Sequence, residues 1–144
     1  MKTLITLALL SFSLAIGAQS SNWLAAIEAN SVRNFEGYLY QNGNDINQCV
    51  DVKGQDYHLL VVALKVQSNT LFDHILNNEA LDLTTICTDT TILQYAVEYG
   101  EISHLQKLLA AGADPNQLSP DGRSALDYAK KHDKPVMVGI LKQQ

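Results

Sequence analysis

Four histidines, two cysteines and a close pair of glutamates are the side chains of this chain best suited to chemistry. His58, His74, His104 and His132 are each more than four residues from the next, so no two share a helical turn as a metal-binding pair would. His74 and His104 are expected on solvated helix faces. No serine sits in the glycine-flanked turn that exposes a nucleophile. Gly37, Gly43 and Gly54 are too scattered to cradle a phosphate. Glu98 and Glu101 lie three apart near a helix end, a spacing that marks a solvated face. Cys49 and Cys87 lack Cys-x-x-Cys spacing, and Lys53 alone stands near enough to lower a thiol pKa, so a redox-active pair is the weaker reading. We therefore assign no catalytic residue, no metal ligand and no cofactor, and expect a protein that is not an enzyme and works by binding.

The chain has 144 residues, enough for one modest domain. Its first twenty, MKTLITLALLSFSLAIGAQS, differ from the rest. Lys2 opens them, an apolar run from Leu4 to Ile16 follows, and Gly17 and Ala18 are small. This is the plan of a secretory signal over residues 1–18, with a cut after Ala18 or after Ala15. A membrane anchor is the alternative, but the apolar run is shorter than the ~20 residues a spanning helix needs. The expected location is the periplasm or the exterior, with no membrane insertion after cleavage and a monomer when free.

Without Lys2, nine basic side chains face fifteen acidic ones, a formal charge of −6. Nucleic acid is excluded as a partner, because phosphates call for a basic patch and no basic run exceeds Lys130-Lys131. An acidic protein suits a basic partner.

The elements that hold these residues recur. Thr91, Leu93, Ala96 and Gly100 are matched 33 positions on by Ser124, Leu126, Ala129 and Asp133, and 33 positions back by His58, Leu60, Ala63 and Gln67. A fixed period of this size marks a repeat array. In each unit a short helix opens, and the leucine and alanine three apart share its inner side. A second helix follows with paired aliphatics, Ile75-Leu76, Leu108-Leu109 and Ile140-Leu141. Gly112 tolerates the left-handed backbone that ends a helix, and Pro115 bars its continuation.

The stretch TILQYAVEYGEISHLQKLLAAGADPN, from Thr91 to Asn116, resembles an ankyrin repeat. Thr91-Ile92-Leu93-Gln94 stands where that family has Thr-Pro-Leu-His, and Gly112 to Asn116 matches its Gly-Ala-Asp-x-Asn end. DGRSALDYAK from Asp121 opens another unit, and GNDIN from Gly43 closes an earlier one. The second unit is worn, with His58-Leu59-Leu60-Val61 at its opening and Asn78 to Leu83 at its end. The loop from Asn47 to His58 is three residues longer than that from Asn116 to Ser124. The resemblance implies an all-α ankyrin-repeat solenoid of about four helix-turn-helix units, near 21–47, 54–83, 87–116 and 120–144, with protruding loops between them.

Adjacent loops in such an array protrude side by side, and Cys49 and Cys87 lie in consecutive ones. In an exported protein two cysteines more often pair than stay free. A Cys49–Cys87 disulfide is expected, contributing roughly 2–4 kcal/mol.

The resemblance also implies which positions are free to touch a partner. At the ends of first helices these are Glu28 and Ala29, Lys65 and Val66, Glu98 and Tyr99, and Lys131 and His132. In the loops they are Val52, Gln55 and Tyr57, then Thr85, Thr88 and Thr90, then Leu118, Pro120, Asp121 and Arg123. Tyr57 and Tyr99 are the expected aromatic anchors. The expected partner is another protein. Small exported ankyrin-type proteins include protective inhibitors as a group, so the resemblance implies an inhibitor or immunity role toward a basic envelope enzyme such as a cell-wall hydrolase. A support factor for an oxidative-stress enzyme and a secreted effector that engages host proteins remain open.

Overall fold

The computed structural model describes residues 22–99 and 101–144. The expected secretory signal, 1–18, lies outside them. Among the described residues the chain is mostly helical, with eight short α-helices and one two-stranded sheet. Contacts divide it into two compact units with the boundary between Asn44 and Asp45.

The first unit is a helix pair, α1 (Asn22–Glu28) and α2 (Val32–Gln41). Asn30 takes a positive φ of 52° that turns the chain, and the Ser31 hydroxyl then accepts the Asn34 amide at 3.3 Å to cap α2. Ala26, Ile27, Phe35 and Leu39 are buried.

The second unit begins with strands β1 (Cys49–Val52) and β2 (Gln55–His58), antiparallel, with Cys49 opposite His58 and Val50 opposite Tyr57. The sequence predicts only an enlarged loop here; the structure makes it a hairpin. Its two-residue turn, Lys53-Gly54, has φ values of 57° and 86°, the double positive that matches strand twist. Three helix pairs follow: α3 (Leu59–Lys65) with α4 (Asn69–Leu76), α5 (Ile92–Tyr99) with α6 (Ile102–Ala110), and α7 (Ala125–Lys131) with α8 (Pro135–Leu141). Helix α3 packs on α5 and α5 on α7.

His58, Thr91 and Ser124, spaced by 33, each immediately precede a helix. His58 caps α3 by accepting the Leu60 amide on Nδ1 at 3.0 Å. Thr91 and Gln94 cap each other at the start of α5: the Thr91 amide donates to Gln94 Oε1 at 2.8 Å, and the Gln94 amide to Thr91 Oγ1 at 3.2 Å. Ser124 and Asp127 do the same for α7. Ala63, Ala96 and Ala129 are fully buried, so the alanine is small where the neighbouring first helix passes.

The helix pairs end alike. Asp45, Asp82 and Asp114 each accept, on a carboxylate oxygen, the amide two residues on, from Asn47, Thr84 and Asn116, at 2.9, 2.9 and 2.8 Å. The worn end of the second pair thus keeps its turn through Asp82. The long segment from Asn77 to Thr91 has no regular structure but several ties. The Asn47 side chain donates through Nδ2 to the Ala80 carbonyl at 2.8 Å and accepts on Oδ1 from the Asp82 backbone amide at 2.7 Å. Gln117 donates to the Thr84 carbonyl at 2.8 Å. Cys49 and Cys87 are joined in the expected disulfide, Cα–Cα 5.6 Å.

Candidate protein-binding surface

The carboxyl ends of α3, α5 and α7 bring Lys65, Glu98, Tyr99 and His132, four of the first-helix candidates, into one row. The Lys65 ammonium lies 4.0 Å from the centre of the Tyr57 ring and 4.5 Å from that of Tyr99, and it donates to the Tyr99 hydroxyl at 3.3 Å. These contacts are cation–π in kind. Tyr57 meets Tyr95 edge-on at 5.7 Å, and Tyr95 stacks on Tyr99 at 6.1 Å. On the next helix Tyr128 donates its hydroxyl to Glu98 at 3.1 Å, and its ring lies 4.3 Å from that of His132.

Electrostatics keep two members of the row protonated. Burial works against the Lys65 ammonium, but its partners Tyr57 and Tyr99 outweigh it and keep its pKa above the ordinary lysine value. Burial, then the bond to Glu98, pushes Tyr128 up to about 12. Both groups therefore keep their protons at neutral pH.

Exposure separates the row into two layers. Tyr99 is 38% exposed and Val66 39%, so both reach solvent. Glu98, Lys131 and His132 are exposed and Lys65 is half-buried. Tyr57 corrects the sequence expectation: it is only 6% exposed, because β2 turns its ring onto Tyr95 instead of carrying it outward on a loop. Its hydroxyl donates to Gln55 at 2.6 Å. Tyr57 supports the surface; Tyr99 forms it.

The loop candidates are more dispersed. Gln55 is exposed and Val52 half-buried at the hairpin end. Thr88 shares a 2.9 Å hydrogen bond with the Tyr95 hydroxyl, which ties this loop to the row. Thr90 donates to Asp89 at 3.1 Å, and Thr85 is half-buried beside Asp82. Leu118 is 57% exposed. Pro120 is exposed, and Asp121 and Arg123 form an ion pair at 3.3 Å. The Ser119 hydroxyl, then Arg123, holds the Asp121 carboxyl below its ordinary pKa. Glu28 and Ala29, in the first unit, are exposed. Among the described contacts Val52, Val66, Thr85, Leu118, Asp121, Arg123 and Lys131 stay outside the row.

Sequence reasoning missed Tyr95 and Tyr128, which complete it. They share the 33-residue register and lie four residues before Tyr99 and His132, the spacing that puts two side chains on one helix face. That spacing was the signal.

The histidines are placed as follows. His104 is buried, not solvated as expected: its ring packs 4.6 Å from Phe72 and Nε2 bonds Asn69 Oδ1 at 2.8 Å, because it caps α6 together with Glu101. His74 is half-buried and His132 exposed. No group of three or more potential metal ligands occurs among the described residues. A groove of about 420 Å³ between α4 and α6, lined by Asp73, Leu76, Asn77, Lys107, Ala110 and Ala111, is crossed by the Lys107–Asp73 ion pair at 2.6 Å.

Compared with known proteins, the chain matches no family model and no curated protein. The Cys49–Cys87 disulfide fits an oxidising compartment. No described helix is long and apolar enough to cross a membrane.

Proposed function

We propose that this chain is an ankyrin-type repeat module that binds another protein outside the cytoplasm. Its specific role in this reading is inhibition: it neutralises a basic envelope enzyme, such as a cell-wall hydrolase, to protect the cell that exports it. The observation that carries the reading is the row from Lys65 and Tyr99 through Glu98 and Tyr128 to His132. Equivalent positions on three successive first helices build one surface of aromatic and charged side chains, the composition from which interface anchors are drawn.

Further features support it. The 33-residue register of His58, Thr91 and Ser124, the three buried alanines and the three aspartate turns are what a stack of like units requires. The helix pair α1–α2 is read as a further unit of the same kind. Charge is unevenly spread: residues 45–122 carry eleven acidic and three basic side chains, residues 123–144 two acidic and five basic. Eight of those eleven acids stand in the hairpin and the segments between helix pairs, so these segments offer a basic enzyme a negative field.

The test is capture from an envelope extract with the full chain and with Tyr99→Ala, followed by assays of the captured protein for cell-wall hydrolysis. We expect a basic enzyme that is retained by the wild type, inhibited by it, and retained at least ~30-fold more weakly by the variant, as loss of an interface anchor entails. Capture of no envelope enzyme, or capture without inhibition, refutes the inhibitor role.

A further inference from the structure

His58 stands where two other helix starts use a hydroxyl, Thr91 and Ser124, and it differs from them in being titratable. It is the last residue of β2 and the cap of α3, so strand and helix meet at its backbone. Its side chain is 2% exposed. Nδ1 accepts the Leu60 amide at 3.0 Å, which requires that nitrogen to be bare and puts the ring proton on Nε2. Nε2 is buried with no hydrogen-bond partner. The neutral ring is thus a half-satisfied buried group that holds its place by one bond. A second proton has only Nδ1 to go to, where it meets the Leu60 N–H head-on and abolishes the cap.

We propose that His58 is an acid-sensitive latch: protonation of its ring unfastens β2 from α3 and loosens Tyr57 from Tyr95 and Lys65. The link to binding rests on the function proposed above; the latch itself does not. Tyr57 is the residue before His58, and its ring is the floor on which the Lys65 ammonium sits at 4.0 Å. The disulfide keeps β1 tied to the segment at Cys87, so opening is confined to the β2–α3 junction.

The surroundings set the sensitivity. Burial first pushes the His58 pKa down to about 4, while Asp82 and Asp45 pull it the other way. Opposite it on β1 stands Cys49, which is oxidised and does not titrate. Helix α3 is apolar from Leu59 to Leu64. Helix α4, packed on α3, carries Asp73, which Lys107 neutralises, and His74. Helix α5 is uncharged from Ile92 to Val97. The His58 ring and the Asp82 and Asp45 carboxylates that act on it are therefore the titratable groups at this site.

The experiment follows the partner-free full chain, disulfide intact, by NMR from pH 7.5 to pH 3.5, alongside His58→Thr, which installs the hydroxyl cap used at position 91. In the wild type the His58 ring should titrate near 4, far below its ordinary value. The exchange of the Leu60 amide, corrected for its intrinsic rate, should rise roughly 10- to 50-fold between pH 6 and pH 4. Tyr57 and Tyr95 ring signals should shift with the same midpoint. His58→Thr should show none of these changes above pH 4. A ring that titrates near 6.5, a ring that titrates near 4 without faster Leu60 exchange, or equal acid opening in His58→Thr each overturns the latch. Should His58→Thr fail to fold, the ring titration and the Leu60 exchange of the wild type decide alone. A latch that fails leaves protein capture at neutral pH untouched, and failed capture leaves the latch standing.

Discussion

The side-chain amide of Gln94 donates to the hydroxyl of Ser119 at 2.9 Å, across 25 residues of sequence. The same nitrogen reaches the Arg123 carbonyl at 3.0 Å, and the amide oxygen caps the Thr91 N–H. Gln94 is 2% exposed, so it fastens the start of one helix pair to the loop that opens the next, from a fully buried position. Gln94→Ala removes the acceptor for the buried Thr91 N–H and one donor each from Ser119 and the Arg123 carbonyl, which keep their bonds to Asp121 and to each other. The expected cost is about 2–3 kcal/mol, read as a lower urea midpoint with an unchanged slope. A loss below about 0.5 kcal/mol would show that water replaces these bonds and that the tie is not structural.

The disulfide closes a stretch of 38 residues that includes the hairpin, α3 and α4. In the chain-entropy account a loop of that length contributes about 4 kcal/mol. The double variant Cys49→Ser, Cys87→Ser should lose about 3–4 kcal/mol against the oxidised wild type, and reduction of the wild type should have the same effect. Local disorder should spread first through residues 77–90, whose remaining ties to the rest of the unit include the Asn47, Gln117 and Thr88 hydrogen bonds. Equal denaturation midpoints with and without reductant would contradict this.

The sequence made some of these features legible and hid others, for reasons that lie in the residues. The step of 33 is visible because Leu60, Leu93 and Leu126, with Ala63, Ala96 and Ala129, must recur where each first helix meets the next. The cysteine pair was legible because both lie in consecutive connections. The hairpin was hidden by the period itself, which treats the extra residues after Asn47 as an insertion. Its local signals were the alternation of Val50 and Val52 and the glycine at 54. Asp82 was hidden because Asn78 to Leu83 does not match Gly-Ala-Asp-x-Asn, whereas the turn needs only an aspartate followed two residues on by a free amide. Tyr57 and His104 were misplaced because periodicity assigns a residue to an element, while burial depends on partners such as Tyr95 and Phe72 that lie far away in sequence.

Acid should destabilise the fold in two separate windows. His58 has a folded pKa of about 4, below its ordinary 6.5. The unfolded chain therefore takes up the proton first, and stability falls as the pH drops from 6.5 toward 4. The loss should be roughly 2 kcal/mol by pH 5. Asp82, Asp121 and Asp127 are also depressed, chiefly by hydrogen bonds from Thr84, Ser119 and Ser124. Their contribution is present above their ordinary value of 3.8 and is lost only below it. Urea titrations at pH 7.5 and pH 5 should thus show a drop in the wild type and almost none in His58→Thr. Parallel drops in the two proteins would assign the first window to another group.

The two tyrosines flanking Lys65 should part company when each is truncated. Tyr57 is buried against Tyr95, so Tyr57→Ala opens a cavity under the Lys65 ammonium and should cost about 3 kcal/mol of stability. Any loss of binding in that variant is then a consequence of a damaged support. Tyr99 is 38% exposed, and its stacking on Tyr95 and its bond from Lys65 lie at the rim. Tyr99→Ala should shift stability by no more than about 1 kcal/mol, while an anchor role costs at least about 2 kcal/mol of affinity. Thermal unfolding and titration calorimetry with the captured partner, run on both variants, separate the two roles. If Tyr99→Ala binds as tightly as the wild type while its fold is intact, the partner does not rest on this row, and the exposed Leu118 beside Asp121 and Arg123 becomes the surface to test.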